Sequence, residues 1–133
     1  MKNSLDNLFA NYNQALALYK LGFEEPCFGR IYADNSIERL SYEFKNCDII
    51  NRDRVTVYAA PLRTQVFAFF RDKYQWSHSI NGEHSDDGFS YNCTLYCRLD
   101  GTSAQLSYEG EDYDKAEAAC IDKLIELVKN KMD

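Results

Sequence analysis

The segment that decides the fold is YDKAEAACIDKLIELVKNK, Tyr113–Lys131, in a chain of 133 residues. Asp112 or Asp114 stands at its start, where a carboxylate can cap a helix and is favoured by the helix dipole. Lys129 and Lys131 stand near its other end, where the dipole favours positive charge. Apolar side chains recur at helical spacing on one face, namely Tyr113, Ala116, Cys120, Leu124, Leu127 and Val128. The pattern predicts a long amphipathic helix that buries one face.

A β-hairpin is predicted just before this helix. Residues 89–99 alternate apolar and polar side chains, which is the period of a strand with one buried face. Asp100-Gly101 is a turn signal, and a partner strand follows near 104–108. The side chains predicted to share the buried face are Phe89, Tyr91, Cys93, Leu95, Cys97 and Leu99.

The first half of the chain predicts one helix and three short strands. Ser4 can cap a helix that runs to about Leu21, and Gly22 is suited to end it. The predicted buried face of that helix is Leu5, Leu8, Phe9, Tyr12, Leu16 and Tyr19. Strands are predicted at about 28–33, 38–45 and 54–59, with Asp34-Asn35-Ser36 as a turn. In the second strand, Leu40, Tyr42 and Phe44 alternate with polar residues, as expected for one buried face.

The middle of the chain predicts a second helix and a loop. Pro61 suits the first helical position, and aromatic residues form a broad apolar face as far as Tyr74. Residues 77–88 read as a loop, because Asn81-Gly82 and Asp87-Gly88 are turn signals. The sequence as a whole predicts an α+β fold in a single domain, residues 1–133. We expect a mainly antiparallel sheet of about five to six strands and three helices, N-terminal, middle and C-terminal.

Acidic residues are concentrated in one part of the sequence. The formal net charge is −6, yet residues 83–114 alone carry −7, from eight acids and one base, Arg98. The acids are Glu83, Asp86, Asp87, Asp100, Glu109, Glu111, Asp112 and Asp114. Such a stretch repels nucleic acid and attracts basic surfaces, although a merely solubilising face is the alternative.

The sequence offers no pattern that is typical of a catalytic or metal site. His78 and His84 lie near three acids, but their spacing matches no recurrent set of metal ligands. Cys93 and Cys97 would lie about 13 Å apart along a strand, too far to share one zinc ion. These two and Cys120 are predicted to be small core residues. We therefore expect no enzyme activity, no metal and no cofactor.

The cellular setting is predicted from absences in the sequence. We find no signal-peptide pattern and no run of about 20 apolar residues that could span a membrane. Five cysteines, an odd number without the spacing of a small secreted domain, indicate a reducing compartment. The expected location is the cytoplasm of a bacterial host cell.

Direct binding to nucleic acid is not favoured. Double-stranded-RNA-binding domains also end in a hairpin followed by an alanine-containing helix, with lysines at the start of that helix. Here that place holds Glu111, Asp112 and Asp114, so the similarity concerns architecture alone. A thin basic run, Arg52, Arg54, Arg63 and Arg71, is interrupted by Asp53 and Asp72.

Three segments together resemble a group of small proteins encoded by gut-bacterial phages and prophages. They are LGFEEPCFG at Leu21–Gly29, AAPLRTQVFAFFRDKYQWSHSI at Ala59–Ile80, and YDKAEAACIDKLIELVKNK at Tyr113–Lys131. The resemblance implies a short intracellular protein of phage origin, and many such proteins bind and block a host component. It brings no catalytic residues with it.

The leading hypothesis from the sequence is a protein that acts by protein–protein interaction, as an acidic inhibitor of a host nucleic-acid-handling or defence factor. The predicted contact residues are Glu83, Asp86, Asp87, Tyr96, Asp100, Tyr108, Glu109, Glu111, Asp112 and Asp114. One alternative is a nucleotide or small-ligand binder in which aromatics stack the base and Arg52, Arg54 or Arg63 holds phosphate. Another is a homo-oligomeric structural or accessory phage protein, because excess aromatics could also serve a homodimer.

Overall fold

The computed structural model describes residues 7–46 and 57–132. In chain order its elements are α1 (Tyr12–Lys20), β1 (Cys27–Ile31), β2 (Ile37–Phe44), β3 (Tyr58–Ala59), α2 (Arg63–Tyr74), β4 (Trp76–Ser85), β5 (Gly88–Cys97), β6 (Ser103–Glu109) and α3 (Tyr113–Met132). Within these residues, three helices accompany six strands in two antiparallel sheets. The predicted α+β class and strand number are confirmed.

Two compact units make up the chain, Met1–Val66 and Phe67–Asp133, and the boundary falls inside α2. The first unit contains α1, β1, β2, β3 and the first turn of α2. The second contains the rest of α2, β4, β5, β6 and α3. Each unit is described below by itself.

The first unit holds a sheet with the strand order β2-β1-β3. The predicted turn at 34–36 joins β1 to β2, and Asn35 adopts the left-handed conformation there, with φ 67°. The Asn35 side chain also accepts a hydrogen bond from the backbone N–H of Tyr12, at 2.9 Å, which ties the turn to α1. On β2, Phe44 is buried but Tyr42 is 54% exposed, so the predicted alternation does not hold along the whole strand.

The first helix begins later than the sequence suggested. Asn11 caps it, because its Oδ1 accepts from the backbone N–H of Gln14 while Gln14 Oε1 accepts from the Asn11 N–H. Its fully buried side chains are Gln14, Ala15 and Leu18, and Leu8 and Tyr19 of the predicted face are exposed. The predicted cap Ser4 and the predicted core residue Leu5 lie outside the described residues.

One buried amide joins two distant parts of the first unit. Asn46 is 3% exposed; its Nδ2 donates to the carbonyl of Phe23 at 3.0 Å, and its Oδ1 accepts from the N–H of Ala59 at 2.8 Å. Both bonds are buried, as expected for a buried amide, whose polar groups are as a rule hydrogen-bonded. Only β3 is seen of the strand predicted at 54–59, because residues 54–56 lie outside the described part.

The second unit is built on a sheet with the strand order β4-β5-β6. An unbroken antiparallel ladder joins β4 to β5, from Trp76 opposite Cys97 to Ser85 opposite Gly88. The hairpin from β5 to β6 turns at the predicted Asp100-Gly101, with Gly101 at φ 75°. Because α3 follows β6 directly, its start lies at the same end of the sheet as the tip of the β4–β5 hairpin.

The loop predicted at 77–88 is wrong, since most of it is β4. Asn81-Gly82 lies inside the strand, and only the second turn signal, Asp87-Gly88, marks a turn. The ring of Phe89 covers Gly82, where an added Cβ would lie 2.7 Å from the ring. A glycine here leaves room for an aromatic ring from the neighbouring strand, which sequence cannot distinguish from a turn.

The two faces of this second sheet differ sharply. One face carries the apolar side chains of β5 and packs against the helices: Phe67 of α2 stacks on His78, with ring centroids 3.7 Å apart, and Tyr91 contacts Tyr113 of α3 edge to face. Every predicted member of this face within β5 is confirmed, whereas Leu99 lies beyond the strand and is 76% exposed.

Cys93 and Cys120 are core residues, as predicted, but a disulfide joins them between β5 and α3, which the cysteine pattern read as typical of a reducing compartment did not predict. Their Cα atoms are 6.4 Å apart. No pattern in the sequence pairs these two cysteines, because the pairing depends on how α3 crosses the sheet. Cys27 and Cys97 are buried free thiols, and Cys47 lies outside the described residues.

Candidate functional site

Five of the predicted contact residues gather at one end of the second sheet. Glu83 and Glu109 both flank Ser90 in the ladder, so their side chains share one row across the sheet. Asp86 and Asp87 form the tip of the β4–β5 hairpin, and Glu111 follows β6. All five are exposed. We call this group, Glu83, Asp86, Asp87, Glu109 and Glu111, the acidic end.

A cleft of about 400 Å³ opens at the acidic end. It is lined by Ser85, Asp87, Gly88, Phe89, Ser90, Ser107, Glu109, Gly110 and Glu111. Three carboxylates therefore border one concave surface, together with three serine hydroxyls. The lining contains no lysine, arginine or histidine.

The acidic end carries uncompensated charge. In the described part of the chain the ion pairs involve other acids, as in Arg30–Glu38 and Lys123–Glu126. Glu83 accepts a hydrogen bond from the neutral amide of Asn92 at 2.6 Å. Close carboxylates without cations raise the local negative potential, which attracts a positively charged partner.

Asp112 and Asp114 lie beside the acidic end, but Asp112 has a structural role. Its Oδ1 accepts from the backbone N–H groups of Asp114 and Lys115, at 3.0 and 3.3 Å, and so caps α3. The predicted cap is confirmed. Its carboxylate is already committed to the helix, where the dipole favours it.

Asp100 lies at the opposite end of the sheet, in the β5–β6 turn. It forms a close salt bridge with Lys131 at the end of α3. Hydrogen bonds from Lys131 and then from Thr102 hold the pKa of the Asp100 carboxyl well below its usual range. Asp100 therefore lies apart from the acidic end, and its negative charge is balanced by that of Lys131.

The two tyrosines proposed as contact residues do not join the acids on one surface. Tyr96 is 48% exposed, but it stands opposite Ser103, in the last paired row at the far end of the sheet. Tyr108 is half-buried on the helix-facing side of β6, the side opposite to that of Glu109. Neither tyrosine is among the residues that line the acidic cleft.

Of the residues predicted for the alternative ligand site, only Arg63 belongs to the described part of the chain. Arg63 is only 9% exposed in the first turn of α2, so it is poorly placed to grip a phosphate at the surface. Arg52 and Arg54 lie outside the described residues.

The histidines and the described thiols do not gather in one reactive cluster. His78 and His84 are six residues apart on β4, about 20 Å along the strand. Partial burial and then the charge of Arg71 lower the pKa of His78, and burial raises the pKa of the Cys27 thiol to about 12. Within residues 7–46 and 57–132, no group of three or more His, Cys, Asp or Glu could hold a metal ion.

A second feature of the site was missed from sequence, namely the outer face of the second sheet, which points away from α3. The register places twelve side chains there, in rows of three: Glu83, Ser90, Glu109; Asn81, Asn92, Ser107; Ser79, Thr94, Gln105; and Ser77, Tyr96, Ser103. Nine are serine, threonine, asparagine or glutamine, and none is basic or aliphatic. The repeated pattern of small polar residues at every second position could have identified this face.

A shallow depression of about 380 Å³ lies on this outer face between β5 and β6. It is lined by Asn92, Cys93, Thr94, Gln105, Leu106 and Ser107. Ser107 also lines the acidic cleft, so the two concave regions adjoin along the strands. We call these two regions, which share Ser107, the polar groove; one end of it lies among carboxylates.

Comparison with known protein families, curated proteins and solved structures finds no match to this chain. Among the helices described, none has both the length and the apolar character needed to cross a membrane.

Proposed function

We propose that this protein acts without catalysis, by binding a partner protein that presents a basic surface. In this proposal the partner is a nucleic-acid-handling or defence factor of a bacterial host, and the chain is a phage-type cytoplasmic inhibitor of it. The resemblance of three sequence segments to phage and prophage proteins supports the setting.

The observation that carries the proposal is the acidic end. Its five carboxylates have no cationic partner among the described residues, and three of them border one cleft. A surface that served solubility alone would mix both signs of charge. This one has a single sign and concave shape, which suits a protruding positive group on a partner.

Inhibition would follow because the carboxylates of this chain compete with nucleic-acid phosphates for the basic residues of the partner. A cleft that binds nucleic acid is lined with lysine and arginine, and carboxylates can occupy the places that phosphates take. Complementary charge also speeds the encounter of two proteins, so the complex forms quickly and weakens as salt rises.

The test uses two variants with the same change in net charge. Glu109→Gln with Glu111→Gln neutralises the cleft, and Glu24→Gln with Glu43→Gln neutralises two exposed acids in the first unit. Each protein is immobilised and exposed to a bacterial lysate at low salt, and the retained proteins are identified by mass spectrometry. We expect a basic, nucleic-acid-binding protein to be retained by the unchanged and control chains and lost from the cleft variant.

The purified partner is then assayed for nucleic-acid binding with the inhibitor added. Release of the nucleic acid by the unchanged chain, but not by the cleft variant, supports the proposal. Equal retention by both variants, or no basic partner at low salt, contradicts it.

Two alternatives stay predictions. Nucleotide binding is tested by thermal shift, since a tight ligand raises the apparent stability of the folded state. A homo-oligomer is tested by light scattering of the purified chain across a range of concentrations.

A further inference from the structure

The outer face of the second sheet differs from an ordinary solvent-facing surface. Solvent-exposed sheet faces commonly carry lysine, glutamate and arginine, and charges on edge strands prevent association. Here ten of the twelve outward side chains are uncharged, and most of those ten are short. Short hydroxyl and amide side chains lose little rotamer freedom when covered, and they can both donate and accept hydrogen bonds.

The charges at the margin of this face determine what can cover it. Its only charged members, Glu83 and Glu109, belong to the acidic end, and the polar groove runs directly into that end. A nucleic acid would bring phosphates against these carboxylates, which is unfavourable. A polypeptide with cationic side chains would meet complementary charge and could hydrogen-bond along the groove.

We propose that this outer face binds an extended, basic segment of a partner protein, which lies along the β5–β6 groove with an arginine or lysine side chain in the acidic cleft. The inference rests on the proposed function and adds the form of the partner. From Thr94 to Phe89 the groove spans about 17 Å at the rise of a strand, the length of about five extended residues. A guanidinium can pair with two carboxylate oxygens at once, so arginine suits the cleft best.

The probe is a fluorescein-labelled seven-residue peptide of alternating glycine and arginine, with a second peptide that has glutamine in place of arginine. Binding is measured by fluorescence polarisation, and the contact surface is mapped by amide chemical shifts of the nitrogen-15-labelled chain. We expect the arginine peptide to bind and the glutamine peptide to bind at least tenfold more weakly. Shift changes should extend over Asn92, Thr94, Gln105 and Ser107 as well as Glu109.

Two matched variants test the contribution of the groove to binding while the acids and the net charge stay unchanged. Ser107→Tyr fills the groove where its two concave regions adjoin, whereas Ser79→Tyr places the same side chain on the same face outside the groove. Circular dichroism confirms that both variants are folded. We expect Ser107→Tyr to weaken peptide binding about tenfold and Ser79→Tyr to change it less than twofold.

The failure of this inference is distinguishable from failure of the proposed function. Equal affinities for the two tyrosine variants, or shift changes confined to the acidic end, overturn the inference. Absence of peptide binding also overturns it, even if a folded basic protein is still captured through Glu109 and Glu111, in which case the proposed function stands.

Discussion

The buried amide of Asn46 shows how a single residue can replace an element of regular structure. It satisfies a carbonyl 23 residues earlier in the chain and an N–H 13 residues later, both in buried surroundings. No sequence pattern predicts this, because neither partner is near Asn46 in the chain. The amide could be replaced only by a group that both donates and accepts in the same geometry.

Asn46→Ala should lower the free energy of unfolding by about 2 to 4 kcal/mol, because it removes two buried hydrogen bonds. Urea unfolding followed by circular dichroism measures the change. Asn81→Ala is the control, since the Asn81 side chain is exposed and donates only to Ser79 Oγ. It should change stability by less than about 0.5 kcal/mol. Equal losses would show that the Asn46 bonds are not structural.

The Asp100–Lys131 pair predicts a pH dependence at low pH. Because the folded pKa of Asp100 is depressed, its contribution to stability is present above the unfolded pKa of about 3.9 and is lost as pH falls through the folded value. Carboxyl titration by NMR should place Asp100 below the other aspartates, and Lys131→Gln should raise its pKa. A pKa that does not move in this variant would contradict the assigned cause.

Helices and strands were predicted best where the period of the apolar side chains and the turn residues indicated the same boundaries. They were predicted worst where a tertiary contact outweighed these local signals. The last helix and the β5–β6 hairpin are confirmed. They could be predicted because their apolar side chains keep one period over many residues and the hairpin has a clear turn signal. The strand β4 was missed because Asn81-Gly82 is a strong turn signal, whereas the glycine in fact makes room for the rings of Phe89 and Tyr91 on the neighbouring strand. The first helix was extended too far because Asn11, not Ser4, provides the cap.

The disulfide that ties β5 to α3 should contribute to stability through the unfolded chain. Joining residues 27 apart restricts the unfolded chain by about 3.5 kcal/mol on the loop-entropy estimate. Urea unfolding, followed by the fluorescence of Trp76, the single tryptophan, should shift to lower urea when a reductant is added. The Cys93→Ala, Cys120→Ala double variant should show no response to reductant. A response in that variant would point to another cysteine.

At the scale of the whole molecule, the number of acidic residues follows from the sequence, but their positions in space do not. The hairpin register puts Glu109 in the row of Glu83, while the β5–β6 turn carries Asp100 to the opposite end. Residue order therefore predicted a charged stretch, and only the pairing of strands shows that it divides. The positions of Tyr96 and Tyr108 relative to these acids also depend on strand pairing, since their neighbours in space are set by strand parity and length.

The second unit should fold when it is separated from the first. Its side chains that are buried in the full chain include Phe70, Trp76, Leu95, Ile121 and Leu124, and the Cys93–Cys120 disulfide joins its sheet to α3. A fragment of residues 59–133, which adds the first turn of α2 and four preceding residues to the second unit, should give dispersed amide resonances and the blue-shifted emission of a buried Trp76. The full chain is the reference for both spectra. Poor dispersion with red-shifted emission would show that the unit depends on the rest of the chain.

The scarcity of apolar groups on the outer sheet face has a calorimetric consequence. Heat capacity falls on association mainly when hydrocarbon surface leaves water, and this face offers almost none to cover. A complex formed there should release heat, and its enthalpy should hardly vary between cold and warm solution. Calorimetric titrations at several temperatures would then give nearly the same binding enthalpy, whereas the binding enthalpy of a complex that buries apolar side chains changes with temperature.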